Sequence, residues 1–154
     1  MTTPDFKIQM IKEGRSAELL AQIDAAIASE PNNASHHADK AFVCSRLKDR
    51  NGAVANALRA SELAPEEPAY SFEASIQLAK DGRLQEAETH ATRSIDSSID
   101  ASSSYYLGTA YLLRAYYRAR MGRKADALAD LAFVHDDATF YVDRIISKQH
   151  VREL

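Results

Sequence analysis

Catalysis or metal binding in this chain would have to come from five histidines, one cysteine and scattered carboxylates. None of His36, His37, His90, His135 or His150 stands in an H-E-x-x-H or C-x-x-C setting, the spacings that put metal ligands on one side of a helix or turn. His36 and His37 are adjacent near an expected helix start, so their rings point to different sides. The run His135-Asp136-Asp137 has metal-ligand types, but it reads as a polar turn between helices. The single Cys44 cannot close an internal disulfide, which favours a reducing compartment, and one cysteine cannot build a usual structural zinc site. No G-x-S-x-G elbow, phosphate-binding P-loop or dinucleotide fingerprint occurs. The residues predict a protein without enzyme activity, cofactor or metal.

Arg114, Arg118, Arg120, Arg123 and Lys124 form the one dense basic run, with no acid inside it. Cations near a helix C-terminus are favourable for the helix dipole, which is the simplest account of them. The run lacks a glycine-rich phosphate loop, and the whole chain carries a net charge of -3, with the acidic excess in its first half. Nucleic acid is therefore a disfavoured partner. The start, MTTPDFKIQM, lacks the apolar core of a secretory signal, and no stretch approaches the ~20 apolar residues that span a bilayer. The expectation is a cytoplasmic protein without a membrane segment.

What would position such side chains is helical. The chain has 5 Gly and 4 Pro, with no proline after Pro68, and is rich in Ala, Leu, Glu, Arg and Lys rather than strand-forming residues. Spacings of 34 recur: Pro31 and Pro65, Ala26 and Ala60 with Ser94, Met10, Cys44 and Leu78, Ala53 and Ala87. They predict first helices near 4–13, 34–49, 68–81 and 102–121, second helices near 16–29, 52–63, 83–97 and 124–135, and a last helix over 138–152. Ser16, Asn51 and Ser102 to Ser104 are good N-cap types at three of these starts, and Gly82 and Gly122 suit helix ends. Gly82 to Gly122 is 40 residues, six more than a period, so the tyrosine-rich helix is expected to run about one and a half turns longer.

The segment PAYSFEASIQLAKDGRLQEAETHATRSIDSSI, with Gly82 at the turn and Ala87 and Ser94 at close contacts, resembles the tetratricopeptide repeat, a 34-residue helix–turn–helix unit. The resemblance extends from about Thr3 to about Thr139. It implies an all-α solenoid of about four helix hairpins, with repeats near 1–33, 34–67, 68–101 and 102–138, closed by a capping helix near 138–152, as one domain over 1–154. The fourth and seventh positions depart from the family pattern: His37 and Lys40 stand there in the second copy, Ser71 and Ala74 in the third. Cys44 falls at a packing position, where a buried, inert thiol is the default. Small residues such as Ala53, Ala60, Ala87, Ser94 and Ala127 let helices approach to 8–10 Å.

In the resembled family the first helices line a concave surface that holds a partner segment. Carried over by position, that surface comprises Ile8, Phe42 and Ile76 with Tyr116, then Lys12, Arg46 and Lys80 with Arg120 one turn later, and Asp39 and Glu73 one turn earlier; Phe72 joins them. The arrangement implies a protein or peptide partner with acidic residues beside apolar anchors. The competing account of the charges is that acids and bases pair between neighbouring helices. A lysine/asparagine/arginine clamp for a chaperone tail is not matched, since Ala38 sits where a lysine would. The resemblance thus implies a non-catalytic protein–protein interaction module. The alternative is a dedicated one-partner protein, a secretion chaperone or a toxin-neutralising immunity protein. Tyr105, Tyr106, Tyr111, Tyr116 and Tyr117 form a band wide enough to be either buried from two sides or an interface for self-association.

Overall fold

A computed structural model describes residues 3–154 as α-helices joined by short turns, with one two-stranded hairpin near the end. The fold is all-α and built of helix hairpins. The chain divides into two compact units, Met1–Leu63 and Ala64–Leu154. Among the described residues no helix is long and apolar enough to cross a membrane.

The first unit holds α1 (Pro4–Lys12), α2 (Ser16–Ser29), α3 (Ala34–Arg46) and α4 (Arg50–Leu63). Thr3 and Asn33 cap α1 and α3 by accepting hydrogen bonds from Phe6 N and Ser35 N. Asp49, not Asn51, starts α4: its Oδ1 accepts from Gly52 N at 3.0 Å. Met10, Leu19, Ile23 and Val43 form the core, flanked by Ile11, Leu20, Ile27 and Phe42. Ala41, Ala53, Ala57 and Ala60 are buried where α3 meets α4, so small side chains set the close approach there. Gly52 shows how close it is: a Cβ there would lie 2.8 Å from Cys44 Sγ.

The second unit holds α5 (Pro68–Lys80), α6 (Leu84–Asp100), α7 (Leu107–Arg120), α8 (Lys124–Leu131), β1 (Thr139–Tyr141), β2 (Ile145–Ser147) and α9 (Lys148–Glu153). α5 packs on α6, α6 on α7 and α7 on α8. Ala74, Ala87, Ala91 and Ser94 are buried in the α5–α6 hairpin, and Ser94 Oγ donates to Pro68 O at 3.0 Å. The close contact thus keeps its one polar atom satisfied.

Two expected elements differ. The tyrosine-rich helix starts at Leu107 rather than 102, because the serines end α6 instead of starting α7: Ser102 takes φ 52 and Ser103 N donates to Ser98 O at 2.8 Å. That geometry closes a helix C-terminus. The six extra residues therefore lengthen α6 and the following loop. The closing helix is present but short; residues expected to be helical from 138 instead form β1 and β2, antiparallel with Phe140 opposite Ile146. Phe140, Val142 and Ile146 turn inward while Tyr141 and Ile145 face solvent, the period-two pattern of a half-buried strand.

The turn inside each helix hairpin, α1–α2, α3–α4, α5–α6 and α7–α8, carries one left-handed residue: Gly14, Lys48, Gly82 and Gly122, with φ of 73, 62, 80 and 79. At Gly82 no heavy atom lies within 4 Å of an added Cβ, so Gly82→Ala tests the backbone alone. It is expected to cost about 1–2 kcal/mol, while Lys48→Gly, which relieves a side chain at positive φ, is expected to gain roughly 0.5–1 kcal/mol. Urea midpoints of the two variants check both signs.

Candidate functional site

The side chains with chemical potential are dispersed. His36 Nε2 lies 3.1 Å from Glu30 Oε2; His37 Nε2 lies 2.9 Å from Pro31 O. His135, Asp136 and Asp137 sit in the turn between α8 and β1. Lys148 Nζ reaches Asp136 Oδ1 at 2.8 Å and holds that carboxyl below the usual range. Among the described residues no group of three or more His, Cys, Asp or Glu could hold a metal ion. Burial, and then the Asp49 carboxylate, push the Cys44 thiol up, the opposite of what a nucleophile requires.

The basic run of α7 is internally engaged. Arg114 makes a two-point contact with Asp130 of α8, Nε–Oδ2 3.0 Å and Nη2–Oδ1 2.7 Å, and reaches Thr92 Oγ1 of α6 at 3.1 Å. Arg118 bridges Glu88 of α6 at 2.7 Å and Asp130 at 2.9 Å. Arg123 takes the other oxygen of Glu88 at 2.7 Å. Burial pushes the Glu88 carboxyl up, but Arg118 and Arg123 outweigh it and hold it below the ordinary carboxylate range. Three cations of the run are thereby committed to tying α6, α7 and α8 together. The acids are on other helices, which is why the run looks unbalanced in sequence.

The residues carried over from the family resemblance fall as follows. In the first unit Ile8 and Phe42 are half-buried, Lys12 and Arg46 are exposed, and Asp39 pairs with Lys7 between α3 and α1. The Arg46 guanidinium sits 5.2 Å from the Phe42 ring centre. In the second unit Phe72, Ile76 and Tyr116 are buried, Glu73 Oε1 accepts from Gln77 Nε2 at 2.6 Å, and Arg120 lies over Tyr116 at 5.6 Å while donating to its hydroxyl at 2.9 Å. The same pairing thus recurs in both units: an aromatic ring with an arginine one turn later stacked on it. Asp39 and Glu73 have partners within the chain. Lys12, Arg46, Lys80 and Arg120 form no ion pair among the described residues, and neither do Lys48, Arg50, Arg93, Lys124 and Arg152, whereas Lys7, Lys40, Arg114, Arg118 and Arg123 do.

What covers Phe72 and Tyr116 was not visible in sequence. Phe72 meets Tyr106 at 5.0 Å and Phe140 of β1 at 5.4 Å, the latter edge-on. Tyr116 lies 5.9 Å from the His150 ring of α9. Of the tyrosine band, Tyr116 and Tyr117 are buried, Tyr111 stacks on Phe133 at 4.6 Å, and Tyr105 is 81% exposed.

Helix hairpins whose left-handed turn residues follow one another at 34, 34 and 40 residues define a tetratricopeptide-like helical-repeat fold. Solved structures of MamA share it. MamA MSR-1 C2 superposes with a TM-score of 0.65 at 19% identity over 83% of this chain and 70% of that one. MamA AMB-1 P212121 gives 0.68 at 18% identity over 82% and 66%. A third MamA crystal structure gives 0.69 at 13% identity over 86% and 74%. The chain thus spans about two thirds to three quarters of the length of these structures, and at such identity the likeness is one of fold. No protein-family profile and no curated protein matches the chain.

Proposed function

We propose that this chain is a non-catalytic interaction module whose first-helix faces, α1 and α3 in one unit and α5 and α7 in the other, bind segments of a partner protein bearing acidic residues beside apolar anchors. The observation that carries this reading is the recurrence of Lys12, Arg46, Lys80 and Arg120 at one repeat position beside apolar or aromatic residues, with two of the guanidinium groups over a ring. Among the described residues these four form no ion pair, a property they share with Lys48, Arg50, Arg93, Lys124 and Arg152. Elsewhere in the chain Asp39, Asp130 and Glu88 neutralise nearby bases. Bases at this position in each unit, without an acid partner among the described residues, favour carboxylates from another molecule, and stacking on Phe42 and Tyr116 holds two of the guanidinium groups in place. The fold likeness to MamA agrees with a scaffold of helix pairs, and nothing in the site geometry assembles a nucleophile with a base.

The test is charge reversal. Arg46→Glu with Lys80→Glu, in protein whose helical circular dichroism is unchanged, is expected to weaken capture of the native partner about tenfold or more, and to flatten its salt dependence. Unchanged affinity and an unchanged salt slope would remove the cation row from the account.

A further inference from the structure

We propose that the face of α5 and α7 carrying Phe72 and Tyr116 is a docking surface for an extended segment with an aromatic-x-β-branched pattern, and that the chain's own residues 138–154 hold it closed. This rests on the reading that first-helix faces bind partner segments, and it names the chemistry that one of them accepts.

The occupant shows what the surface takes. Phe140, Val142 and Ile146 line the inner side of the hairpin, while Tyr141 and Ile145 point to solvent. Phe140 places its ring edge-on to Phe72 at 5.4 Å. Both strands and α9 pack on α7, and α9 brings His150 against Tyr116 at 5.9 Å. An aromatic residue followed two positions later by a branched aliphatic one therefore sits where the family resemblance expects a partner.

Three features mark the contact as one that can be exchanged. The hairpin consists of two three-residue strands, and so small a ribbon depends on the surface beneath it. His150 Nε2 is buried without a hydrogen-bond partner, a cost that an occupant with a matching polar group would not carry. The segment's polar tie is Lys148 Nζ, bonded to Val134 O at 2.9 Å and to Asp136 Oδ1 at 2.8 Å; both acceptors lie in the connector leading into the segment, not on α5 or α7. Releasing the segment from the face therefore breaks ring and aliphatic contacts and, among the described residues, no ion pair to α5 or α7.

The probe is a fluorescent synthetic peptide of residues 138–154, titrated into full-length protein by anisotropy. In the wild type the tethered copy competes at an effective concentration near 1 mM, so the peptide binds weakly. Phe140→Ala with Ile146→Ala, placed in the tethered copy only, is expected to tighten peptide binding about tenfold, and adding Phe72→Ala is expected to reverse that gain. A weakened variant with unchanged helical circular dichroism that binds the peptide no better than wild type overturns the proposal. Should the variant fail to fold, hydrogen exchange on the wild type decides: faster exchange of Val142 and Ile146 amides than of α7 amides supports a releasable segment, and opening only together with α7 overturns it. Peptide exchange does not involve Arg46, so its failure is separate from a failure of the cation row in partner capture.

Discussion

Asp130→Ala is expected to destabilise the protein by about 3–5 kcal/mol, because it leaves Arg114 and Arg118 without their shared carboxylate in a water-poor site. Asp130 is 3% exposed, and its two oxygens receive three hydrogen bonds from Arg114 and Arg118. The loss corresponds to a fall in Tm of roughly 10 °C for a chain of this size, read by differential scanning calorimetry. Asp130→Asn keeps an acceptor and the shape and is expected to lose less. The network also sets a pH dependence. Glu88 has its folded pKa held below the ordinary value, with burial opposing and Arg118 and Arg123 prevailing. Its contribution is therefore present above the unfolded carboxylate pKa of about 4.3 and is lost as pH falls through the lower folded value. Stability should fall on acidification below about pH 4, and Glu88→Gln should flatten that fall while lowering stability at pH 7.

Tyr117→Ala is expected to cost a similar amount, about 3–5 kcal/mol, by a different mechanism. Tyr117 has no solvent exposure, and its hydroxyl donates to Ser75 O at 3.3 Å across the α5–α7 contact. Burial pushes its phenol well above the ordinary value, so it is neutral at every working pH. Removing the ring leaves a cavity at the buried α5–α7 contact, beside Ser75 and the Tyr116 ring. Tyr117→Phe keeps the ring and gives up one hydrogen bond, for about 0.5–1.5 kcal/mol. A ratio near unity between the two losses in urea titration would mean that the hydroxyl, not the ring, carries the contact.

The features readable in sequence were those with short-range causes. The 34-residue period fixes which residues must be small, and Ala53, Ala60, Ala87, Ser94 and Ala127 are all buried at helix contacts. Gly82 and Gly122 mark turns because few other residues adopt positive φ without strain. The same rule hid two turns. Lys48 takes the glycine position in α3–α4, and Ser102 closes α6 at positive φ although serine is the commoner sign of a helix start. Two three-residue strands are too short to tell a period of two from a helical period in sequence alone, so Phe140 to Ser147 reads as a helix face until the burial of alternate residues is seen. The ion network was invisible for a plainer reason: Arg118 finds Glu88 30 residues away on another helix. Of the candidate face, position along the helix was legible. Which cations lack an internal acid, and that Phe72 and Tyr116 are covered by residues 140 and 150, required the folded chain.

The most direct test of the binding account is site-specific photo-crosslinking in native cells, comparing four exposed positions of the first unit. Lys12 on α1 and Arg46 on α3 belong to the first-helix face, while Ala25 on α2 and Ala55 on α4 belong to second helices. A photoreactive amino acid at Lys12 or Arg46 is predicted to form an adduct with one and the same partner segment, and at Ala25 or Ala55 to form none. Adducts confined to Ala25 and Ala55, or equal at all four positions, would contradict the account.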